Sequence, residues 1–297
     1  MSSTRTAALT FPSRAMAYCA LTKPDVSFLV VLTTAAGYYM GSRGPIDIVR
    51  LAHTVLATTL LAAGTSALNQ YVERDVDAKM RRTASRPLPS GQVQPGEALW
   101  LGVGLALAGA LYLALASGAL ACLLGAFTCL SYLGVYTPLK SRTTWATFIG
   151  AFPGAVPPMI GWVAASGSLS RGAWLLFAIL FLWQFPHFDA IAWIYREDYT
   201  RAGIRMLPVV DRTGAKTFRQ ILFTAAVLVP ASLLPALVGL AGVRYFFGAL
   251  VLSMLLVQVC LWAAASKSNL RAKWLMHATV AHIPVLLGLM MYDKLPR

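Results

Sequence analysis

The chain has 297 residues, of which 58% are hydrophobic and 12% charged, with a formal net charge of +14 at pH 7. A mean hydropathy of +0.65 excludes a soluble globular protein and indicates a chain embedded in the lipid bilayer. The basic excess does not indicate a nucleic-acid partner, because the positive residues lie between apolar spans and not on one soluble domain. The cysteines show no CxxC or CxxCH spacing, which excludes the corresponding redox and haem-attachment motifs.

Apolar spans follow one another along the chain, each near the ~20 residues that a membrane-crossing helix needs. Nine are predicted, at about 26–40, 51–68, 97–116, 119–136, 146–165, from 173 onward, 221–241, 245–264 and 275–292. A count of eight also fits. The fifth contains Pro153, Pro157 and Pro158, which predict a broken or kinked helix. The pattern predicts an all-α polytopic membrane protein, with an N-terminal segment at 1–20 and a single transmembrane domain at 21–297.

A polar stretch, NQYVERDVDAKMRRTASRPLPSG, begins at Asn69, directly after the second span. Asn69, Glu73 and Asp77 recur every fourth residue, so they turn by only about 40° per step on a helix and share one face. Clustered carboxylates repel each other, and near a membrane each costs about 2.5–3.5 kcal/mol at the helix centre; a divalent cation relieves both costs. Positive residues suited to a polyanion follow: Lys79, Arg81, Arg82 and Arg86. The alternative is a solvated loop that only sets orientation.

A second polar stretch, WQFPHFDAIAWIYREDYTRAGIRMLPVVD, follows the sixth span and has a similar layout. Gln184 and His187 lie on its membrane side, and Asp198 comes later, among basic residues. A second acidic helix end facing the first would complete a cation site, because Mg²⁺ prefers a few carboxylates together with water and phosphate oxygens. Between the two stretches, the loop YTPLKSRT adds Lys140 and Arg142.

Most Lys and Arg residues lie in alternate loops: the N-terminal segment with Arg5, both polar stretches, the YTPLKSRT loop and the loop before the last span. By the positive-inside rule these loops face the cytoplasm. The sequence therefore predicts a multi-pass protein of the cell membrane whose chemistry takes place on the cytoplasmic side.

Four blocks resemble the UbiA superfamily of intramembrane prenyltransferases and, within it, the heme O synthase branch. They are NQYVERDVDAKMRRTASRPL, YTPLKSRT, GAVPPMIGW and WQFPHF…DY..AGIRMLPVV, in the family's order, and the resemblance covers roughly 21–216. It implies a UbiA-type helical bundle that binds Mg²⁺ or another divalent cation. It also implies transfer of a farnesyl group from farnesyl diphosphate to the vinyl group of heme B, with release of diphosphate.

The resemblance assigns roles to individual residues. It implies that the cation is held by Asn69, Glu73, Asp77 and Asp198, and the diphosphate by Lys79, Arg81, Arg82, Arg86, Lys140 and Arg142. It leaves Gln184 and His187 for the haem. The chain departs from the superfamily pattern at Gln70 and Glu73, where aspartate is more usual, and at His187 and Ile194, which replace acids of the second motif.

Three functions remain open at this point. The first is farnesylation of heme B, whose product implies a downstream haem-modifying enzyme or terminal oxidase as a partner. The second is a UbiA-type prenyltransferase acting on an aromatic or quinone precursor, which the missing second-motif acids disfavour. The third is a transporter or haem-binding membrane protein, which would not need acids and bases gathered on one face. The remaining histidines, His53, His277 and His282, lie in or near apolar spans and are expected to be structural, with axial ligation of haem iron as the alternative for each.

Overall fold

The structure is a computed structural model that describes residues 11–296. Within that range the regular elements are all helical, and a single isolated β-bridge joins Ala241 to Lys294, so the all-α prediction is confirmed. Arg5 and the first half of the predicted N-terminal segment lie outside the described residues. The predicted boundary between residues 20 and 21 falls inside the first helix.

The helices follow the apolar spans closely. They are α1 (Phe11–Leu21), α2 (Pro24–Gly41), α3 (Ile48–Asp77), α4 (Pro95–Ser117), α5 (Ala119–Ser131), α6 (Thr137–Leu139), α7 (Ala146–Gly154), α8 (Pro157–Ser166), α9 (Arg171–Ile194), α10 (Arg196–Arg201), α11 (Leu207–Val210), α12 (Ala215–Leu237), α13 (Val243–Ser266) and α14 (Asn269–Tyr292). Eight stretches in the described range are long and apolar enough to cross a membrane, or nine when the bent pair α1–α2 counts as one. The predicted count is therefore confirmed.

Local chemistry sets the helix ends. The Asp47 carboxylate accepts from Arg50 N at 2.9 Å and so caps the start of α3. Gly118, with φ +94°, turns the chain between α4 and α5, a conformation that a side chain would oppose. The prolines of the fifth span divide it into α7, which contains Pro153, and α8, which begins at Pro157. This is the break that the proline pattern predicts.

Helices α2 and α8 cross with their backbones in contact. A Cβ placed on Gly161 would lie 1.9 Å from Thr34 O, and one on Gly37 would lie 2.0 Å from Pro158 O. Close packing of small residues holds membrane helices together, because lipid leaves no hydrophobic driving force between them. The crossing also fixes α2, whose first residue follows Lys23, a residue of the site described below.

We expect Gly161→Ala to destabilise the protein by at least about 1–3 kcal/mol, because the added methyl group forces the α2–α8 crossing apart. Thermal unfolding in detergent measures the effect. Gly104→Ala on α4 is the matched control, since a Cβ there meets nothing within 4 Å. It should leave stability unchanged or slightly higher, because alanine loses less backbone entropy than glycine in a helix. Equal melting of the two variants would contradict the close contact.

Candidate active site

The last two turns of α3 present a buried polar face. Asn69 and Asp77 are each 1% exposed, and the Glu73 side chain is 13% exposed. Asp75, on the same helix, has a side chain 83% exposed and lies off this face. The four-residue spacing therefore produces the shared face that helical geometry predicts.

Each carboxylate of this face forms an ion pair with a base from another segment. Lys140 Nζ lies 2.8 Å from Glu73 Oε1, and Arg86 donates to Asp77 Oδ2 at 2.7 Å. The first pair joins α3 to the loop after α6, and the second joins α3 to the loop before α4. Since both carboxylates are largely buried, the paired bases offset the solvation that they lose.

Asn69 lies at the membrane end of the face and bonds three neighbours. Its Oδ1 accepts from Lys23 Nζ at 2.9 Å. Its Nδ2 donates to Glu73 Oε2 at 3.0 Å and to Thr137 Oγ1 at 3.2 Å. Asn69 therefore connects the turn between α1 and α2 with the fourth span.

The fourth span brings Lys140 to the site through an irregular turn. Residues Tyr132–Tyr136 form a π-helical turn just before Pro138, whose ring cannot take a regular helical bond. Lys140 Nζ then lies 4.6 Å from the centre of the Tyr136 ring and 5.9 Å from that of Tyr132. Burial disfavours the charged amine, but the two tyrosines and the Glu73 carboxylate outweigh it and raise the pKa of Lys140. Lys140 therefore stays cationic.

The second polar stretch meets the first at α10. Asp198 is 9% exposed, accepts from Arg82 N at 3.3 Å and forms an ion pair with Arg201. The Arg82 guanidinium lies 4.9 Å from the centre of the Tyr195 ring. Beneath these charges the two stretches share an apolar cluster: Met80, Ala192, Tyr199, Ala202, Ile204 and Met206. The two polar stretches therefore meet, with Asp198 of the second bonded to the backbone of Arg82 of the first.

Positive charge is in excess around this face. Lys23, in the turn between α1 and α2, lies near Arg86 and Lys140, and the two cations repel its ammonium group. An anion placed among the three bases would relieve this repulsion. Sequence reasoning missed Lys23 as a site residue and used YTPLKSRT only for its bases. The polar pair Tyr136–Thr137, where the fourth span passes into this loop, was the signal that the loop makes further contacts to the site.

The other predicted site residues have different surroundings. Lys79, Arg81 and Arg142 are exposed. Gln184 Nε2 donates to the backbone oxygens of Ala151 at 3.0 Å and Leu180 at 3.2 Å, so it serves the broken fifth span. His187 Nδ1 lies 2.9 Å from Thr279 Oγ1, on α14.

The side-chain oxygens of the predicted cation ligands are of the kind that a hard cation binds. They are one amide oxygen and carboxylates, the ligands that Mg²⁺ prefers. Within residues 11–296, however, no three His, Cys, Asp or Glu side chains stand close enough together to hold a metal ion. Each acid is instead neutralised by a base. The arrangement fits a cation that arrives together with a polyanion, because the polyanion gives the displaced bases new partners.

Comparison with known proteins shows the family of this chain. Residues 30–282 match the UbiA prenyltransferase family. The chain belongs to this family. A protoheme IX farnesyltransferase from Solibacter usitatus is 48% identical over 286 residues, which cover 93% of this chain and 98% of that protein. This UbiA prenyltransferase is therefore an enzyme that crosses the membrane several times, as predicted.

Solved structures confirm the UbiA-type bundle. A digeranylgeranylglyceryl phosphate synthase aligns with a TM-score of 0.78 at 18% identity, covering 94% of this chain and 98% of that one. A UbiA homologue from Archaeoglobus fulgidus, bound to GPP and Mg²⁺, aligns with a TM-score of 0.64 at 14% identity, covering 92% and 99%. Because the sequence identities are this low, the two alignments show that the prenyltransferase shares the fold of these structures and nothing more.

Proposed function

We propose that this prenyltransferase transfers a farnesyl group from farnesyl diphosphate to the vinyl group of heme B, giving heme O and diphosphate. One observation carries the choice of substrates: a relative named protoheme IX farnesyltransferase is 48% identical over nearly the whole of both chains. The grouping of acids and bases at the end of α3 supports the donor half of the reaction, because a diphosphate and a divalent cation together match both sets of charges.

The donor binds at the polar face of α3. Mg²⁺ would be held by Asn69, Glu73, Asp77 and Asp198, and when bound it supplies charge neutralisation at the leaving diphosphate. Lys23, Arg86 and Lys140 exchange their present oxygen partners for phosphate oxygens. They then stabilise the negative charge that grows as the allylic C–O bond breaks. Further positive charge around the site attracts the donor and is carried by Lys79, Arg81, Arg82 and Arg142.

The acceptor step needs no covalent nucleophile from the protein. The electron pair of the breaking C–O bond leaves with diphosphate, and the vinyl π pair of heme B forms the new C–C bond. Water then adds to the resulting cation and loses a proton. The allylic cation must be kept from water until the vinyl group attacks, and a site whose acids are nearly enclosed provides that exclusion.

We further propose that the site faces the cytoplasm, because the basic loops converge on it and positive residues concentrate on that side. The haem lies on its membrane side, towards Gln184 and His187. The farnesyl chain makes heme O lipophilic, so a haem-modifying enzyme or terminal oxidase in the same membrane is the expected recipient. The division into residues 1–20 and a single domain at 21–297 remains part of this proposal.

The proposal is tested with purified protein in lipid nanodiscs supplied with farnesyl diphosphate, heme B and Mg²⁺. The expected product has the mass of heme B plus one farnesyl group and one hydroxyl group. EDTA should abolish its formation and excess Mg²⁺ should restore it, because the buried acids lose their cation. Prenylation of an aromatic acid or quinone precursor in place of haem would support the alternative acceptor class. Haem binding without a mass change would contradict enzymatic transfer to haem.

A further inference from the structure

A hydrogen-bonded pair joins α9 to α14 within the membrane. His187 Nδ1 lies 2.9 Å from Thr279 Oγ1, and the Thr279 hydroxyl donates to the Met276 carbonyl oxygen at 2.6 Å. A hydroxyl has one hydrogen, so Thr279 Oγ1 can only accept from His187. Nδ1 therefore carries the proton, and Nε2 of the neutral ring carries a lone pair.

The ring is also held in orientation. Trp183 stacks on His187 with centroids 4.9 Å apart and planes 13° apart, and the Trp183 indole donates to Thr279 O at 2.7 Å. The Phe188 ring lies edge-on to the imidazole, with centroids 5.3 Å apart and planes at 62°. Thr279 is 0% exposed, so its hydroxyl has no competing water. These contacts fix both the tautomer and the plane of the imidazole.

Nε2 of His187 is not fully enclosed. The ring is half-buried, the structure records no partner for Nε2, and this atom is not among the enclosed polar atoms. His282, further along α14, differs: it is 2% exposed, and both its ring nitrogens are enclosed without a partner. The Nε2 lone pair of His187 can therefore be donated to a metal, whereas both ring nitrogens of His282 are enclosed.

We propose that His187 Nε2 is the axial ligand that holds the iron of heme B, and that Thr279 is the positioning residue that presents it. This inference rests on the proposed function, which makes haem the acceptor. A single neutral imidazole commonly ligates haem iron, and its second ring nitrogen then usually donates to an oxygen of the protein. Since α9 leads directly into α10 and Asp198, haem held here lies on the membrane side of the diphosphate site.

The first test is spectroscopic. Ferric heme B is titrated into the protein in nanodiscs, with absorption and EPR spectra as readouts. Wild-type protein should give a histidine-ligated spectrum; His187→Ala should lose it and regain it with added imidazole. Thr279→Val should weaken haem binding by about 10–100-fold, the usual effect of removing such a partner, and Thr279→Ser should bind like wild type. His282→Ala is the matched control and should keep the wild-type spectrum. An unchanged spectrum in His187→Ala overturns the proposal.

The second test separates ligation from packing by using protoporphyrin IX without iron. His187→Ala should weaken binding of heme B but leave the affinity for the metal-free porphyrin as in wild type. If both affinities fall together, His187 acts through packing and the proposal is wrong. Failure of the proposed function looks different: wild-type protein would then form no farnesylated haem. Wild-type product formation combined with unchanged haem ligation in His187→Ala would overturn this inference alone.

Discussion

Asp77→Asn is expected to lower farnesyl transfer by about 10²–10³-fold, the loss typical of removing one group that stabilises transition-state charge. Asp77 is 1% exposed and ends the acidic face of α3. Asparagine preserves the size of the side chain but removes the negative charge that a divalent cation needs. The rate is measured as heme O formed at saturating concentrations of both substrates and Mg²⁺.

Asp75→Asn is the matched control for this prediction. It changes the same residue type on the same helix, but the Asp75 side chain is 83% exposed and its contact to Arg74 is a long 3.8 Å. Exposed ion pairs of this kind contribute little to protein stability, so the activity of Asp75→Asn should stay within about twofold of wild type. Asp77→Asn also leaves Arg86 without its carboxylate, so membrane insertion and melting of both variants must be compared. A correctly inserted Asp77→Asn protein with near-normal activity would place the cation elsewhere.

The acidic face of α3 was predictable because helical periodicity is a local property. Asn69, Glu73 and Asp77 lie where a four-residue repeat puts them. The break in the fifth span was predictable for the same reason, since proline acts on its own turn. The π-helical turn at Tyr132–Tyr136 was not predictable, because the apolar pattern runs through it unchanged. Its effect is on tertiary contacts, since it precedes Thr137 and Lys140, which bond to α3.

The pairing of charges depends on how the helices pack, and spacing along the chain does not encode it. Glu73 and Lys140 are 67 positions apart, and His187 and Thr279 are 92 apart. In the sequence, Lys23 served only as one of the positive residues that predict the orientation in the membrane. In the structure it donates to Asn69 inside the site. Composition and spacing predicted a membrane protein with a metal–diphosphate site. The choice of a farnesyl donor and a haem acceptor came from the resemblance of whole motif blocks to one family branch.

Lys140→Met should raise the KM for farnesyl diphosphate by about 10–100-fold, because a hydrogen bond to a charged group contributes about 1.5–3 kcal/mol. The ammonium is cationic, largely buried and directed at the acidic face, so its replacement partner on donor binding is a phosphate oxygen. Haem affinity should not change. Arg142→Met, two residues further along the same loop and exposed, is the control and should have a much smaller effect.

The double variant Glu73→Gln/Lys140→Met separates a structural role of the pair from a role in binding. Breaking a buried ion pair by removing one partner is destabilising, whereas neutralising both partners is often tolerated. Lys140→Met alone should therefore melt earlier than the double variant. The double variant should recover stability but not donor binding, because both the phosphate partner and a cation ligand are gone. Recovery of activity together with stability would show that the pair only holds α3 against the fourth span. If Lys140→Met instead weakened haem binding and left the donor kinetics unchanged, the haem and the diphosphate would have been assigned to the wrong sides of the site.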